Sequence, residues 1–422
     1  MKLETLSENE IAVTFVALAL LLLFAFLTGN VMEKIKAPRV VGEITGGILL
    51  GATFLQRLFP NMIESIFSGY ENEGKVLNIF YQLGLILLMF LSGYNTQIEF
   101  DRKNIRTIAS IFVGSTLLPM SVGLFFVSYF INDFIGEKGN YISFSIVFII
   151  GIAITSIPVI SKIFFDLGVM NTHFSNTVLT VSTFQDLLLW IMLNVALRIS
   201  STGEIDIVDL LIVVFATIGM FVVVKIIAEH NIIKILKEIN SITLYAGSIA
   251  ILLLVCALLS RIGINNMYSA FLVGYVIKKF TGDSINAKEK IDYLGKVSFA
   301  FFIPIYFALV GIQLDLINNF SLFRFIAFFM IAFCLEGMGT YLFANLSNLN
   351  TKSKINFAIT MNARGGPGIV LATTAYAYEI INLEFFTVLI LTTMLSSLIA
   401  GYWLRYQLQK DKSVFMVLTK DV

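Results

Sequence analysis

The sequence predicts an all-α polytopic membrane protein of about thirteen transmembrane helices, built as an inverted repeat that contains two broken helices. Three observations predict it: a composition too apolar for water, recurring apolar runs long enough to cross a bilayer, and a lopsided distribution of lysine and arginine between alternate loops. Hydrophobic residues fill 57% of the 422 positions, charged residues only 14%, and there are 39 phenylalanines. Soluble chains carry about 25% charged residues. The net charge of +1 gives no basic or acidic excess that would recommend nucleic acid or an acidic substrate as partner. Cys256 and Cys334 lie inside apolar runs, where a small buried hydrophobe is expected and no disulfide or redox role is implied.

The first apolar run, residues 11–32, is longer than a signal-peptide core and follows Glu4, Glu8 and Glu10 in place of a basic stretch. It is expected to be a retained transmembrane helix. Further runs fall at 40–57, 77–97, 105–131, 142–165, 174–199, 207–228, 242–260, 265–280, 296–313, 321–346, 354–381 and 385–408. A span needs roughly 20 residues of helix, and the shortness of the ninth run leaves twelve spans open as well. One set of alternate loops holds about 21 lysines and arginines and the other about 7, which puts the N-terminus outside and the C-terminus in the cytoplasm by the positive-inside rule. No soluble regulatory domain is expected after Gln407, and His173 and His230 fall in loops where solvated side chains are expected.

The third run ends LMFLSGYNTQIEF (88–100) and the tenth ends IYFALVGIQLDL (305–316), with glycine, a polar residue and an acid in matching order. They are seven runs apart, and an odd interval makes the copies cross the membrane in opposite directions. The fifth and twelfth runs are also seven apart. The fifth carries Thr155, Ser156 and Pro158 at mid-membrane depth, and the twelfth carries Asn362, Arg364, Gly365, Gly366, Pro367 and Gly368. Proline removes a donor and glycine weakens a helix, so both runs are expected to open there. Freed backbone groups at that depth must be buried in protein or line a cavity, and matched breaks in two halves point to an ion site. Pro119 and Pro304 are expected to be ordinary kinks.

Ionisable and polar groups within or near the apolar runs stand out. Asp186 and Gln185 lie in the sixth run, Glu336 in the eleventh and Arg364 in the twelfth, while Glu43 is close enough to the start of the second to reach the interface. A charge at the bilayer centre costs about 2.5 to 3.5 kcal/mol, so each is a candidate functional group. Asp186 suits one role in particular, because a carboxylate in hydrocarbon is neutralised by a proton or by a cation, and the two compete. Hard monovalent cations want oxygen, which Asp186, the Gln185 amide, the Thr155 and Ser156 hydroxyls and freed carbonyls can supply. Arg364 keeps its proton and is expected to hold the break or neutralise an acid. Whether Glu336 titrates or simply partners Arg364 stays open.

The strings RVVGEITGGILLG (39–51), LGLILLMFLSGYNTQIEF (83–100), AITSIPVISKIFFDLGVMNTHFSNTVLTVSTFQD (153–186), FFIPIYFALVGIQLDL (301–316) and NARGGPGIVLA (362–372) resemble the monovalent cation:proton antiporter-2 family over roughly residues 12–405. The resemblance implies a thirteen-helix sodium/proton antiporter fold with a dimerisation part, 11–97 and 242–313, an ion-carrying core, 105–199 and 321–408, and a linking helix at 207–228. It implies two broken helices crossing beside the ion-binding Asp186, Thr155 and Ser156 at the first break, Arg364 at the second, and elevator-type movement of a homodimer. Electrogenic relatives pair two acids where this chain has Gln185 and Asp186, similar to the glutathione-gated potassium efflux branch, whose cytoplasmic nucleotide-binding domain is not expected here. Glu336 stands where many relatives have lysine.

The leading expectation is a plasma-membrane antiporter exchanging Na+ or K+ for protons through Asp186, with membrane lipid as its surroundings, no cofactor and no soluble partner. A channel-like potassium efflux system and a sodium-coupled symporter of organic anions are the alternatives. A membrane-embedded enzyme would need a nucleophile, base or metal cluster that the sequence does not offer.

Overall fold

The structure, a computed structural model, describes residues 5–69, 71–95, 104–167, 169, 172–202, 211, 215, 219, 241–261, 264–281, 293–347 and 349–410. Its described elements are helical: α1 (Glu8–Lys34), α2 (Arg39–Leu50), short α3 (Leu55–Leu58) and α4 (Pro60–Phe67), α5 (Glu71–Asn95), α6 (Ile105–Phe134), α7 (Tyr141–Ile152), α8 (Ile157–Asp166) and α9 (His173–Thr202). There follow α10 (Ser241–Arg261), α11 (Asn266–Thr281), α12 (Tyr293–Ile312), α13 (Leu322–Ala344), α14 (Thr351–Met361), α15 (Gly366–Ala377) and α16 (Leu383–Lys410). Among the described residues seven helices are long and apolar enough to span a membrane. Each apolar run read from the sequence coincides with a helix or a helix pair, except 207–228, of which only residues 211, 215 and 219 are described. The end of the first repeat string, 96–100, and His230 also lie outside the described residues, whereas His173 opens α9.

Large apolar side chains cover the outside. Phe125, Phe323 and Phe15 are 85%, 72% and 67% exposed, an arrangement that water would not tolerate over so wide a surface and lipid does. Cys256 is buried, and neither cysteine is in a disulfide.

The helices pack in two groups. One holds α1, α2, α5, α10, α11 and α12, and the other holds α6 to α9 and α13 to α16; α5 and α11 carry contacts between them, to α8, α15 and α9. In the first group α5 and α11 touch through reciprocal glycines. A Cβ at Gly93 would sit 2.8 Å from the Phe271 carbonyl carbon and one at Gly274 would sit 2.9 Å from that of Phe90. Only hydrogen fits at either place, and van der Waals packing of bare backbone is what holds helices together in lipid.

The second group is tied at the side of the molecule where α1 begins, the near side. Phe134 stacks on Phe385 with centroids 4.6 Å apart, joining α6 to α16, and Phe148 of α7 packs against Phe328 of α13 at 5.3 Å. Arg324 binds Asp133 at 2.6 Å and Glu384 at 2.7 Å, and Ile135 and Ile381 form an isolated antiparallel bridge. At the opposite, far side the Tyr402 hydroxyl donates to the Ile35 carbonyl at 3.0 Å, so the ends of α1 and α16 meet there.

Pro119 and Pro304 each follow a π turn, Val113–Leu117 in α6 and Ser298–Phe302 in α12. The wider turn accommodates a ring that would clash with the preceding turn of a regular helix.

Candidate functional site

The two interrupted helices follow one pattern. α7 stops at Ile152 and α8 starts at Ile157; α14 stops at Met361 and α15 starts at Gly366. Residues 153–156 and 362–365 between them are non-helical. Pro158 and Pro367 stand in the first turns of α8 and α15, where a helix has no partner for an N–H and proline costs nothing. The breaks therefore lie just before the prolines. Gly365 is inside the second break, and Gly366 belongs to the helix after it.

The breaks are stitched to each other. The Ser156 N–H donates to the Ala363 carbonyl at 2.8 Å. The Thr155 hydroxyl donates at 2.6 Å to the carbonyl of Met361, the last residue of α14, and Arg364 Nη2 donates at 2.7 Å to the carbonyl of Ile152, the last residue of α7. Helix C-termini leave carbonyls without partners and carry partial negative charge, so a hydroxyl and a guanidinium are suitable caps. Gly365 permits the approach: a Cβ there would lie 2.5 Å from Ser156 Oγ and 2.9 Å from Ser156 Cβ.

Glu336 of α13 closes this cluster. Its Oε2 accepts from Arg364 Nη2 at 2.8 Å, and its Oε1 lies 3.1 Å from the Thr155 hydroxyl, whose one proton it shares with the shorter bond to the Met361 carbonyl. Both Glu336 and Arg364 are buried. Asn362, a residue of the second break to which the sequence assigned no partner, accepts from Arg364 at 3.4 Å and donates to the Ala358 carbonyl at 3.0 Å. A buried pair of this kind is weak evidence of stabilisation, but losing either member strands a charge.

Asp186 differs. It is 1% exposed, and neither carboxylate oxygen has a hydrogen-bond partner among the described residues. Its helix α9 packs against all four half-helices, α7, α8, α14 and α15. Its neighbour Gln185 fixes the register: the side-chain Nε2 donates to the Ala153 carbonyl in the first break and, at 3.4 Å, to the Ser115 carbonyl. Ser115 lies four residues before Pro119, which has no N–H to offer it. That proline, expected to be only a kink, leaves an acceptor for Gln185.

The Gln185 Oε1 is likewise buried without a partner. Oxygens of Asp186 and Gln185 thus stand unmatched, the Gln185 amide at the first break, while those of Glu336 are taken. Ser156 is fully buried, with its Oγ accepting the Val159 N–H at 3.4 Å. Among the described residues no three His, Cys, Asp or Glu side chains cluster closely enough to hold a metal. A cation bound here would draw on hydroxyl, amide and main-chain oxygens as well as on one carboxylate.

Two cavities approach from opposite sides. The far-side cavity, about 580 Å³, is lined by Arg39, Glu43 and Arg405 and also by Val159 of α8 and Gly366 of α15. Glu43, read as able to reach the interface, is 4% exposed and accepts from Arg39 Nε at 2.9 Å. The near-side cavity, about 690 Å³, is lined by Asn194 and Arg198 of α9, Arg261 of α10 and Thr373 of α15.

A family model described as "Sodium/hydrogen exchanger, transmembrane" matches residues 19–410. The Na(+)/H(+)-K(+) antiporter GerN of Bacillus cereus is 24% identical over 407 residues, covering 95% of this chain and 98% of that protein. The Na(+)/H(+) antiporter of Enterococcus hirae is 24% identical over 94% of this chain and 98% of its own length. The K(+)/H(+) antiporter 1 of Saccharomyces cerevisiae is 24% identical over 93% of this chain but only 46% of its own length. The solved structure of the sodium proton antiporter MjNhaP1 from Methanocaldococcus jannaschii superposes with a TM-score of 0.66 at 18% identity, covering 98% of this chain and all of that one, and shares its fold.

Proposed function

This chain belongs to the sodium/hydrogen exchanger transmembrane family, and from that membership we propose that it exchanges a monovalent cation, Na+ or K+, for protons across the plasma membrane, with Asp186 carrying each in turn. One observation carries the proposal: the buried Asp186 carboxylate has neither oxygen partnered among the described residues, on a helix that packs against both broken helices, while Glu336, the buried acid bonded to the crossing, is held by Arg364. An isolated buried carboxylate must be neutralised, and a proton or a bare cation does so equally well in charge. Competition for one group couples the two flows, since whichever ligand leaves must be replaced before the site returns. Na+ and K+ both appear among the names of the relatives, so either is retained as cargo.

In this reading Gln185, Thr155 and Ser156 complete the oxygen shell of the cation, and Arg364 with Glu336 holds the crossing rigid. The near side is the outside and the far side the cytoplasm, in keeping with the lysine and arginine asymmetry. The group α6 to α9 with α13 to α16 would move as one body against the other group, whose exposed apolar faces would form a homodimer contact. Cavities on both sides of the crossing support alternating access by such a movement.

Everted membrane vesicles with a fluorescent pH probe test the proposal. An imposed proton gradient should collapse when Na+ or K+ is added, and Asp186→Asn should abolish the response. A symporter of organic anions would ignore the cation alone, and a channel-like efflux system would pass K+ under voltage without moving protons.

A further inference from the structure

Of α9, only Asn194, Leu197, Arg198 and Ser201 line the near-side cavity among the described residues, and none of them precedes Asn194. Between Asp186 and Asn194 the helix reads LLLWIML, in which the Trp190 indole N–H is the only side-chain hydrogen-bond donor. Trp190 is 2% exposed, and its Nε1 has no partner among the described residues. A buried N–H without an acceptor is costly. A complementary orphan belongs to the other helix group: Asn266, the first residue of α11 and part of the cavity lining, has its side-chain Oδ1 buried without a donor.

One residue connects the two. Asn194 Nδ2 donates to the Trp190 carbonyl at 2.8 Å, and Asn194 Oδ1 accepts from the N–H of Asn265, the neighbour of Asn266, at 2.8 Å. Asp186, Trp190 and Asn194 follow one another at four-residue steps, each about 6 Å of rise and about 40° of rotation. The helix runs toward the near side, where Asn140, just before α7, donates to the Ile199 carbonyl at 3.4 Å. A shift of α9 by one turn in that direction would bring Trp190 to the level that Asn194 now holds beside residues 265 and 266, and Asp186 to the level of Trp190. One-turn steps of one element past another are a known form of switching. We propose that Trp190 is the near-side gate of the exchange cycle: in this structure its ring closes the route from the cavity to Asp186, and in the alternative state it stands in the cavity with Nε1 donating to Asn266 Oδ1. The far-side cavity, by contrast, reaches Gly366, which directly follows the second break. The gate rests on the antiport reading above, since it needs the two helix groups to move past each other.

Cation-driven proton movement in right-side-out and everted vesicles gives a KM for the cation at each side. Trp190→Phe keeps a ring and loses the donor, and Asn266→Ala loses the acceptor. Each should raise the near-side KM about two- to tenfold, the worth of one hydrogen bond lost from the near-side state, without raising the far-side KM. The double variant should be no worse than the more affected single. In thermal unfolding of the purified full chain the same two substitutions should be additive, because the two atoms are not bonded in this structure. Near-side KM values equal to the parent's, effects that multiply in the double variant, or coupling in unfolding as large as that in KM would overturn the gate and leave the antiport reading intact. If Trp190→Phe does not fold, Asn266→Ala alone carries the near-side comparison. A parent chain that exchanges nothing would defeat the antiport reading, and this inference with it.

Discussion

The backbone N–H of Ser156 donates to the carbonyl of Ala363 at 2.8 Å, joining two interrupted helices that lie more than two hundred residues apart in the chain. Thr155 and Arg364, on either side of that bond, each reach over to cap the helix that the other break interrupts. The crossing is thus held by reciprocal hydrogen bonds from the chain itself.

Thr155→Val removes the donor and leaves the Met361 carbonyl buried without it, for a cost of about 1–3 kcal/mol. Thr155→Ser keeps the hydroxyl. Unfolding midpoints in detergent should fall for valine and stay near the parent for serine; equal values for the two would mean the bond contributes nothing.

The two glycines at the second break should respond differently to alanine. At Gly365 a methyl group meets Ser156 at 2.5 and 2.9 Å, so Gly365→Ala is expected to cost about 1–3 kcal/mol and to depress exchange. At Gly366 the nearest neighbour is a Leu88 methyl at 3.4 Å, and Gly366→Ala should change stability by no more than about 0.5 kcal/mol. Stability and exchange assays on both variants check the contrast, which is lost if alanine is tolerated equally at each.

Glu336 and Arg364 should be strongly coupled. Arg364→Met or Glu336→Leu alone strands a buried charge and is expected to cost about 3–5 kcal/mol, while the double variant should recover much of that loss. A double-mutant cycle measures this, and simple additivity would contradict the pairing.

Much of this site is legible in the chain. TSIP and ARGGPG announce their breaks because proline and glycine act locally, and Asp186 announces itself because an acid inside an apolar run needs a reason. The choice of Arg364 as partner for Glu336 is not legible, since it depends on how α13 is rotated against the second break, which no local pattern encodes. The same holds for Ser115 and Gln185, which meet only through the π turn before Pro119.

Outside the membrane, Asp315 gives a pH-dependent signal. Burial works against its charged form, but donors from Asn318, main chain and side chain, from the Ile317 N–H and from Asn319 outweigh it and hold the carboxyl below its usual range. A group depressed in the folded state stabilises above its unfolded pKa, and that contribution fades as pH falls through the folded value. Asp315→Asn should therefore lower the unfolding midpoint near neutral pH and converge with the parent in strong acid. A difference that persists unchanged at low pH would contradict it.

Proton release on cation binding tests the central role of Asp186 most directly. Purified protein in weakly buffered detergent solution should acidify the medium when NaCl or KCl is added, compared with a bulky organic cation chloride, and Asp186→Asn should release nothing. Acidification of equal size from Asp186→Asn would contradict the role assigned to that carboxylate.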